Sequence, residues 1–543
     1  MMDSRIFLAG AFVVPLGMLL ACVWPRALDR MLFCLPFAPM PALAAVFIVA
    51  DDSQLLMGST RLHLSFALDL PGALLLGAAA LLWIASGAYA QPYLRSRPNQ
   101  GRFVVCWLMT LTGCIGVFLA ADMVGFYFLL ALMTLGACGL VIYRETPRAW
   151  RAGAIYIGLG LLAESLLLTA FVMLAAQIPG DSLLIRDAAA ALPISPHRDL
   201  ILALLIAGFG MKAGLVPFHF WMPLAYRAAP TPASAVLSGA VVKASVLGMI
   251  RFLPFESAIA GWGTVLAAAG LFSAIYGVVI GITQRNPKVV LAYSSVSQMG
   301  FMVAVLGMGM IAGDGRAALA TAFYATNHIL VKGALFLSVG VIAATGRKYL
   351  WPTLLPTALI AFGLGGLPLT GGGLAKLVVD GPLGDGTANK IATVSAVGTT
   401  VLMLQFLRSL RNSMSHDPEA KAAAALVVPW LAIAAGSIIM PWTLLMAIPR
   451  GTLPDPLAPA MVWKALWPVL VGAALAIALW QRARWLERMP QGEIMVAESR
   501  TAKGAAACGS AVERMDRALR SWPVAGVSLL ILVIALGAAV LVR

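Results

Sequence analysis

Four lysines, a histidine and a glutamate stand inside stretches of this sequence that are otherwise apolar. Lys212 and Lys243 lie in IAGFGMKAGLVPFHFWMPLAYRAAPTPASAVLSGAVVKASVLGMIRFLP, which runs from Ile206 to Pro254. Glu164 lies in GLGLLAESLLLTAFVML, His328 and Lys332 in FYATNHILVKGALFLSVG, and Lys376 just after GLGGLPLTGGGLA. A charge at the centre of a spanning helix costs roughly 2.5–3.5 kcal/mol on insertion scales. It therefore faces the protein interior or a wet cavity, and its position is functional by default. One lysine at a helix end can snorkel to the headgroups, but a set of them in one chain does not fit that account.

The chemistry such residues share is proton exchange. Burial disfavours the charged form of a lysine and a nearby carboxylate favours it. A change in the carboxylate's distance or hydration then makes the amine take up or release a proton near neutral pH. Lys212, Lys243, His328 or Lys332, and Lys376 are expected to form a line of such sites across the middle of the membrane, linked by water. His328 and Lys332 are spaced i, i+4 and share a helix face. Glu164 is too deep to snorkel and is expected to act as an ion partner or relay.

The elements that hold these residues must be spanning helices. The chain of 543 residues is 61% hydrophobic and 11% charged, outside the range of a soluble domain. Its mean hydropathy is +0.91. The expected fold is an all-α polytopic membrane protein. Apolar runs fall at Ile6–Trp24, Met31–Ala50, Pro71–Ala90, Phe103–Ala120, Met123–Tyr143 and Ala152–Ala176. The two lysine helices follow, then Trp262–Ile282, Val289–Met308, Ala317–Ala344, Leu354–Leu369 and Ile391–Leu410. Ala424–Ile448, Trp463–Trp480 and Val524–Val542 complete about sixteen spans. Asp51–Leu70 reads as a polar connection, Ser182–Arg198 as a surface helix, and Gln481–Trp522 as a polar linker with helix breakers.

Two of the helices look broken. Pro217 follows Lys212 by five residues, and Pro368 with Gly371, Gly372 and Gly373 precedes Lys376. Non-helical backbone at membrane depth survives only where protein buries it or a cavity hydrates it. A break with a charge beside it in each half of a chain points to inverted-repeat architecture, and here the order of lysine and proline reverses between the halves.

Loop charges set the orientation. Arg26, Arg30, Arg95, Arg97, Arg102, Arg144, Arg148, Arg151, Arg285, Lys288, Arg347, Lys348, Arg408 and Arg411 fall in alternate loops. The intervening loops carry Asp51, Asp52, Asp181, Asp187, Glu256, Asp314, Asp385 and Asp455. The positive-inside rule then places the basic set in the cytoplasm of a bacterial-type inner membrane, with N-terminus and C-terminus both outside. The net charge of +15 is spread over short loops with no basic face, so nucleic acid is not an expected partner. Six cysteines without a CxxC pair indicate neither a disulfide framework nor an iron–sulfur site. No Rossmann or Walker A signature is present. No cofactor, no metal and no active site of its own are expected.

KAGLVPFHFWMPLAYRAAPTPASAVLSGAVVKASVLGMIRF, ITQRNPKVVLAYSSVSQMGFMVAVLGMG and NHILVKGALFLSVG resemble the proton-conducting antiporter-type membrane subunits. These include the antiporter-like subunits of respiratory complex I, the large subunits of Mrp-type cation/proton antiporters, and their membrane-bound hydrogenase equivalents. The resemblance covers roughly Ala120 to Arg411, and PTPASA and LAYSSVSQMG are its most specific stretches. It implies a fourteen-helix core with two inverted five-helix repeats, each holding one broken helix. Residues 1–101 would then be three N-terminal helices, 102–254 and 255–411 the two repeats, and 412–543 C-terminal helices with the linker. The resemblance makes Lys212 the lysine of the first broken helix and Lys243 the bridging residue after it. His328 and Lys332 would be their counterparts in the second half, and Lys376 the residue of the second broken helix.

In one place the sequence departs from the family pattern. Where the family has a glutamate in its fifth helix, ADMVGFYFLLALMTLGACGL has Ala131. Either the first half-channel is disabled or another acid has replaced the missing one, and Glu164 is the expected substitute. The function this reading favours is a proton-translocating subunit of a redox-driven complex, of the quinone-reducing or hydrogenase type. An Mrp-type cation/proton antiporter subunit and a structural subunit with a partly decayed channel are the alternatives. Expected partners are other membrane subunits, peripheral redox subunits, the lipid bilayer, and protons, with sodium left open.

Overall fold

The computed structural model describes residues 2–49, 53–59, 62–95, 97–178, 182–447 and 453–481. α1 (Met2–Ala21) is followed by two short helices, α2 (Pro25–Cys34) and α3 (Met40–Ile48), so the second expected span is interrupted in its middle, where Pro36 and Pro39 fall. The polar connection after it is a correction: it folds as an antiparallel hairpin, β1 (Gln54–Ser59) against β2 (Leu62–Ala67), with Gln54 opposite Ala67.

α4 (Leu70–Leu94) comes next. α5 (Gln100–Leu119), α6 (Met123–Ile142) and α7 (Pro147–Ala175) lead to α8 (Ile185–Ala191). The expected surface helix is thus shorter than its sequence suggested, and its Ile185, Ala188 and Leu192 are buried. α9 (Arg198–Ala213) and α10 (Trp221–Ala228) are two halves of one pass, and α11 (Thr231–Val236) joins α12 (Lys243–Phe252) through a π-helical turn, Leu237–Val241. Then come α13 (Ala260–Ile282), α14 (Pro287–Ala312) and α15 (Arg316–Ala343). The halves α16 (Leu350–Gly365) and α17 (Gly371–Leu383) precede α18 (Thr387–Arg411), α19 (Ala424–Ala447) and α20 (Pro459–Gln481).

Thirteen passes among the described residues are long and apolar enough to cross a bilayer. The pairs α2/α3 and α16/α17, in which neither half is long enough alone, add two more. The expected span Val524–Val542, most of the polar linker and the side on which the chain ends lie outside the described residues.

Five of the helix starts follow from a short polar side chain placed one residue ahead of the helix. Asp69 accepts from Gly72 N (2.9 Å) to open α4, and Asp122 from Gly125 N (2.6 Å) to open α6. Thr146, Asn286 and Thr370 do the same for α7, α14 and α17. Asp122 also takes the backbone N–H of Ser65 at 2.6 Å, which ties the hairpin to the helix it caps.

Two sets of five passes repeat one order. In the first, α5, α6 and α7 precede the broken α9/α10 and then α11–α12; in the second, α13, α14 and α15 precede the broken α16/α17 and then α18. Five is odd, so the second set traverses the membrane in the opposite sense. The centre is enclosed by protein: the apolar windows of α11–α12 and α14 are 100% buried and that of α15 94%, against 33% for α7 and 22% for α20. Charges on the three central passes are therefore shielded from lipid.

Arg251, near the end of α12, locks one end of the bundle. It donates to both carboxylate oxygens of Asp69 (2.7 and 2.9 Å) and to the carbonyls of Val117, Phe118 and Ala120 at the end of α5 (3.2, 2.8 and 2.9 Å). Burial pushes the Asp69 carboxyl up, but the Arg251 guanidinium outweighs this and holds it below the usual carboxylate range. The pair's contribution is therefore complete above about pH 3.9 and is lost as pH falls through the lowered value. Arg251→Ala is expected to lower stability by about 1–3 kcal/mol, because it strands helix-end carbonyls. Thermal unfolding of the detergent-solubilised chain at pH 7 and pH 3 checks this: the gap between wild type and variant should narrow at the lower pH.

Candidate functional site

Both broken helices are stitched by side chains. α9 ends at Gly214 in the left-handed region (φ 72°), where a side chain would be strained, and Leu215 N closes the turn on Gly210 O (2.9 Å). The released backbone of the next residues finds protein partners: Val216 N donates to Ser273 Oγ (3.0 Å), and Trp221 Nε1 donates to Met211 O (3.0 Å). The second break repeats the device with Gly366 (φ 103°) ending α16, Thr370 capping α17, and Trp442 Nε1 donating to Leu369 O (3.0 Å). Lys212 sits in the last turn before its break, whereas Lys376 sits in the second turn after its own and donates to the carbonyl of Gly365.

The structure brings Lys212 and Glu164 together. Nζ lies 2.8 Å from Glu164 Oε1, with the two side chains 12% and 5% exposed. Thr134 Oγ1, on α6, completes a triangle: it donates to Glu164 Oε1 (2.6 Å) and accepts from Lys212 Nζ (2.9 Å). Sequence reasoning missed Thr134, although it lies one turn from Ala131, the position of the absent family glutamate. Between the triangle and α12 is a cavity of about 30 Å³ lined by Thr134, Tyr156, Lys212, Trp221 and Ser245 among others. That volume matches about one water.

Lys243 and Lys332 are fully buried, and a chain of polar atoms runs between them. Lys243 Nζ donates to Ser238 O (3.3 Å), in the π-helical turn, and Ser238 Oγ meets Ser295 Oγ of α14 (2.9 Å). Ser295 Oγ donates to Leu291 O (3.1 Å), which also accepts from Lys332 Nζ (2.9 Å). The widened turn, a feature common at functional sites, immediately precedes Lys243. Neither serine was distinguishable in the sequence from the small residues that let helices approach closely.

His328, one turn from Lys332 on α15, is fully buried, and neither ring nitrogen has a hydrogen-bond partner among the described residues. Lys243 and Lys332 are the charged groups whose fields reach it. One turn further along the same face, Tyr324 OH donates to Gln298 Oε1 (2.5 Å), and Gln298 Nε2 donates to Thr399 Oγ1 on α18 (3.2 Å). Tyr324, His328 and Lys332 thus make a polar stripe at i, i+4, i+8, a spacing the sequence already displayed.

Lys288 needs a correction. Read as a loop charge, it is 8% exposed in the first turn of α14, and Nζ donates to Ala229 O (2.8 Å) and Ser234 Oγ (3.1 Å). It fastens the end of α10 and the start of α11, the PTPAS stretch. No cluster of His, Cys, Asp and Glu able to hold a metal ion occurs among the described residues.

A sequence model described as NADH:quinone oxidoreductase/Mrp antiporter, transmembrane, matches residues 120–402, more than half of the chain. The chain belongs to this family. All six candidate side chains and both breaks lie inside the match. Among its relatives, hydrogenase-4 component B of Escherichia coli (strain K12) is 27% identical over 63% of this chain and 54% of its own length. NADH-quinone oxidoreductase subunit N of Desulforudis audaxviator (strain MP104C) is 32% identical over 48% of this chain and 52% of its own. The chain thus spans about half the length of these curated relatives. In fold it is similar to a chain of the Mrp complex from Dietzia sp. DQ12-45-1b, with a TM-score of 0.77, 22% identity, and coverage of 99% of this chain and 63% of that one. The chain is accordingly an antiporter-like, multi-pass membrane protein of the complex I, hydrogenase and Mrp family.

Proposed function

We propose that this chain is a proton-translocating subunit of a redox-driven membrane complex, moving protons along Glu164, Lys212, Lys243, Lys332 or His328, and Lys376. The observation that carries the reading is the 2.8 Å contact of Lys212 with Glu164 at the first break. A decayed half-channel has no use for a buried charge pair, which costs desolvation that a hydrophobic replacement would not. Here the acid has moved from α6 to α7 and kept its lysine. In this reading, repeats 102–254 and 255–411 are the two half-channels, meeting where the Ser238 and Ser295 hydroxyls lie between Lys243 and Lys332. The basic loops face the cytoplasm of a bacterial-type inner membrane and the N-terminus faces outward. The chain supplies no redox chemistry, so the driving energy comes from partner subunits that carry flavin or iron–sulfur centres.

Purification of the tagged full chain from native membranes in mild detergent tests the partner half of this proposal. The expected result is a stoichiometric assembly with peripheral subunits that contain flavin or iron. Co-purification of small antiporter subunits alone, with no redox cofactor in the assembly, would instead assign the chain to a cation/proton antiporter.

A further inference from the structure

Beyond Lys376 the second break opens a cavity of about 180 Å³ between α17, α18 and α20. Its walls are largely apolar, with Phe301, Pro368, Leu374, Ala396 and Trp467 among them. Three ionisable groups line it: Lys376, Asp380 and Lys464. Lys376 and Asp380 are i, i+4 on α17, so they lie on one face one turn apart. Asp380 Oδ2 is 2.7 Å from Lys464 Nζ on α20, and Asp380 Oδ1 accepts from Asn389 Nδ2 at 3.3 Å. Asn389 also donates to Gly384 O (2.9 Å), which ties the acid to the α17–α18 turn. The pair is 34% and 51% exposed, in contrast to the enclosed pair at Lys212.

We propose that Asp380 and Lys464 form the gate through which protons pass between Lys376 and the membrane face at the α17–α18 turn, with Asp380 as the carrier and Lys464 as the latch. The proposal rests on the proton-translocating reading above. The cavity has room for several waters, and Lys376, Asp380, Asn389 and Lys464 give them polar partners from its inner end to its rim. A rim ion pair is worth about 0–1 kcal/mol, so thermal motion opens it readily. With Lys464 swung into solvent, the Lys376 ammonium gives its proton to the Asp380 carboxylate through cavity water and becomes an amine. The resulting carboxylic acid releases that proton to bulk water and returns to carboxylate. Lys464 keeps its own proton throughout. With Lys464 back on Asp380, its charge repels a proton at the mouth and the carboxylate is occupied. The latch belongs to α20, outside the two five-helix sets, so movement of this C-terminal helix would control one mouth of the path without disturbing the inner line.

The test uses native membrane vesicles containing the full chain and its partners. Thr393→Cys, in the cavity wall, reports access by its rate of modification with a small impermeant methanethiosulfonate, read by peptide mass spectrometry. Lys464→Gln in that background is expected to raise the rate about two- to fivefold, the change that loss of up to about 1 kcal/mol allows. Exchange of the charges, Asp380→Lys with Lys464→Asp, should restore the slow rate. Asp380→Asn should reduce proton translocation at least tenfold, whereas a merely structural tie would lower assembly and leave translocation per assembled complex unchanged. An unchanged labelling rate in Lys464→Gln, or undiminished translocation in Asp380→Asn, overturns the gate. If Lys376→Ala also translocates normally, it is the proton-translocating reading itself that fails.

Discussion

Replacing Glu164 with Gln is expected to reduce proton translocation by at least tenfold while the chain still assembles. Gln keeps the size and the hydrogen-bond partners of the acid but not its charge. The Lys212 ammonium, 12% exposed and 2.8 Å away, then loses its acidic partner, with Thr134 Oγ1 remaining at 2.9 Å. Breaking a buried pair by removing one partner costs roughly 3–5 kcal/mol, and on the proposed path the effect falls on a group that passes on its proton. Positioned proton transfer is commonly worth about 10²–10⁴ in rate. The control is to move the acid back. Ala131 lies one turn from Thr134 on α6 and is only partly buried, so Ala131→Glu with Glu164→Gln returns a carboxylate to the same triangle from the neighbouring helix. That double variant should recover part of the activity. Equal inactivity of the single and double variants would mean that Glu164 does more than serve as counter-charge to Lys212.

Loss of Lys376 is expected to be as damaging, for a different reason. Among the described residues no acid pairs with Lys376; its ammonium rests on the carbonyl of Gly365, where α16 ends. A helix C-terminus carries partial negative charge that favours a cation, so the break itself supplies the counter-charge that Glu164 supplies in the first half. Lys376→Ala removes the one ionisable group at the inner end of the 180 Å³ cavity. Asp380, at its rim, then has no proton donor. Translocation should fall at least tenfold, with little change in assembly, because the cavity already tolerates empty volume at that point.

Much of this was legible in the sequence because the membrane makes it so. Charge inside an apolar run is costly enough that each instance draws attention, which is why Glu164, Lys212, Lys243, His328, Lys332 and Lys376 stood out as candidates. Breaks at membrane depth need proline or glycine, and Pro217 and Pro368 announced them. The absence of a glutamate at Ala131 could be paired with Glu164 on one argument, the cost of an isolated charge. What stayed hidden depends on tertiary placement. Lys288, two residues from Asn286 at a helix start, looks like any loop lysine until the carbonyl of Ala229 is seen beside it. Ser238 and Ser295 meet between two lysines only because α14 packs on the π-helical turn. Asp380 and Lys464 are 84 residues apart, each near a helix end where interfacial charges are ordinary. QLLMGS lacks the polar alternation of an exposed strand, and its pairing with LHLSFA is a tertiary fact that periodicity does not reveal.

Proton movement in native membrane vesicles carrying Lys212→Ala or Lys376→Ala, normalised to the amount of assembled complex, decides whether this chain conducts protons. Acidification would be followed with an interior pH dye while the complex is driven by its own electron donor. Each variant is expected to assemble to near wild-type level and to lose nearly all translocation, one through the first half and one through the second. Undiminished translocation in both variants, at normal assembly, would contradict it and leave the chain a structural member of its complex.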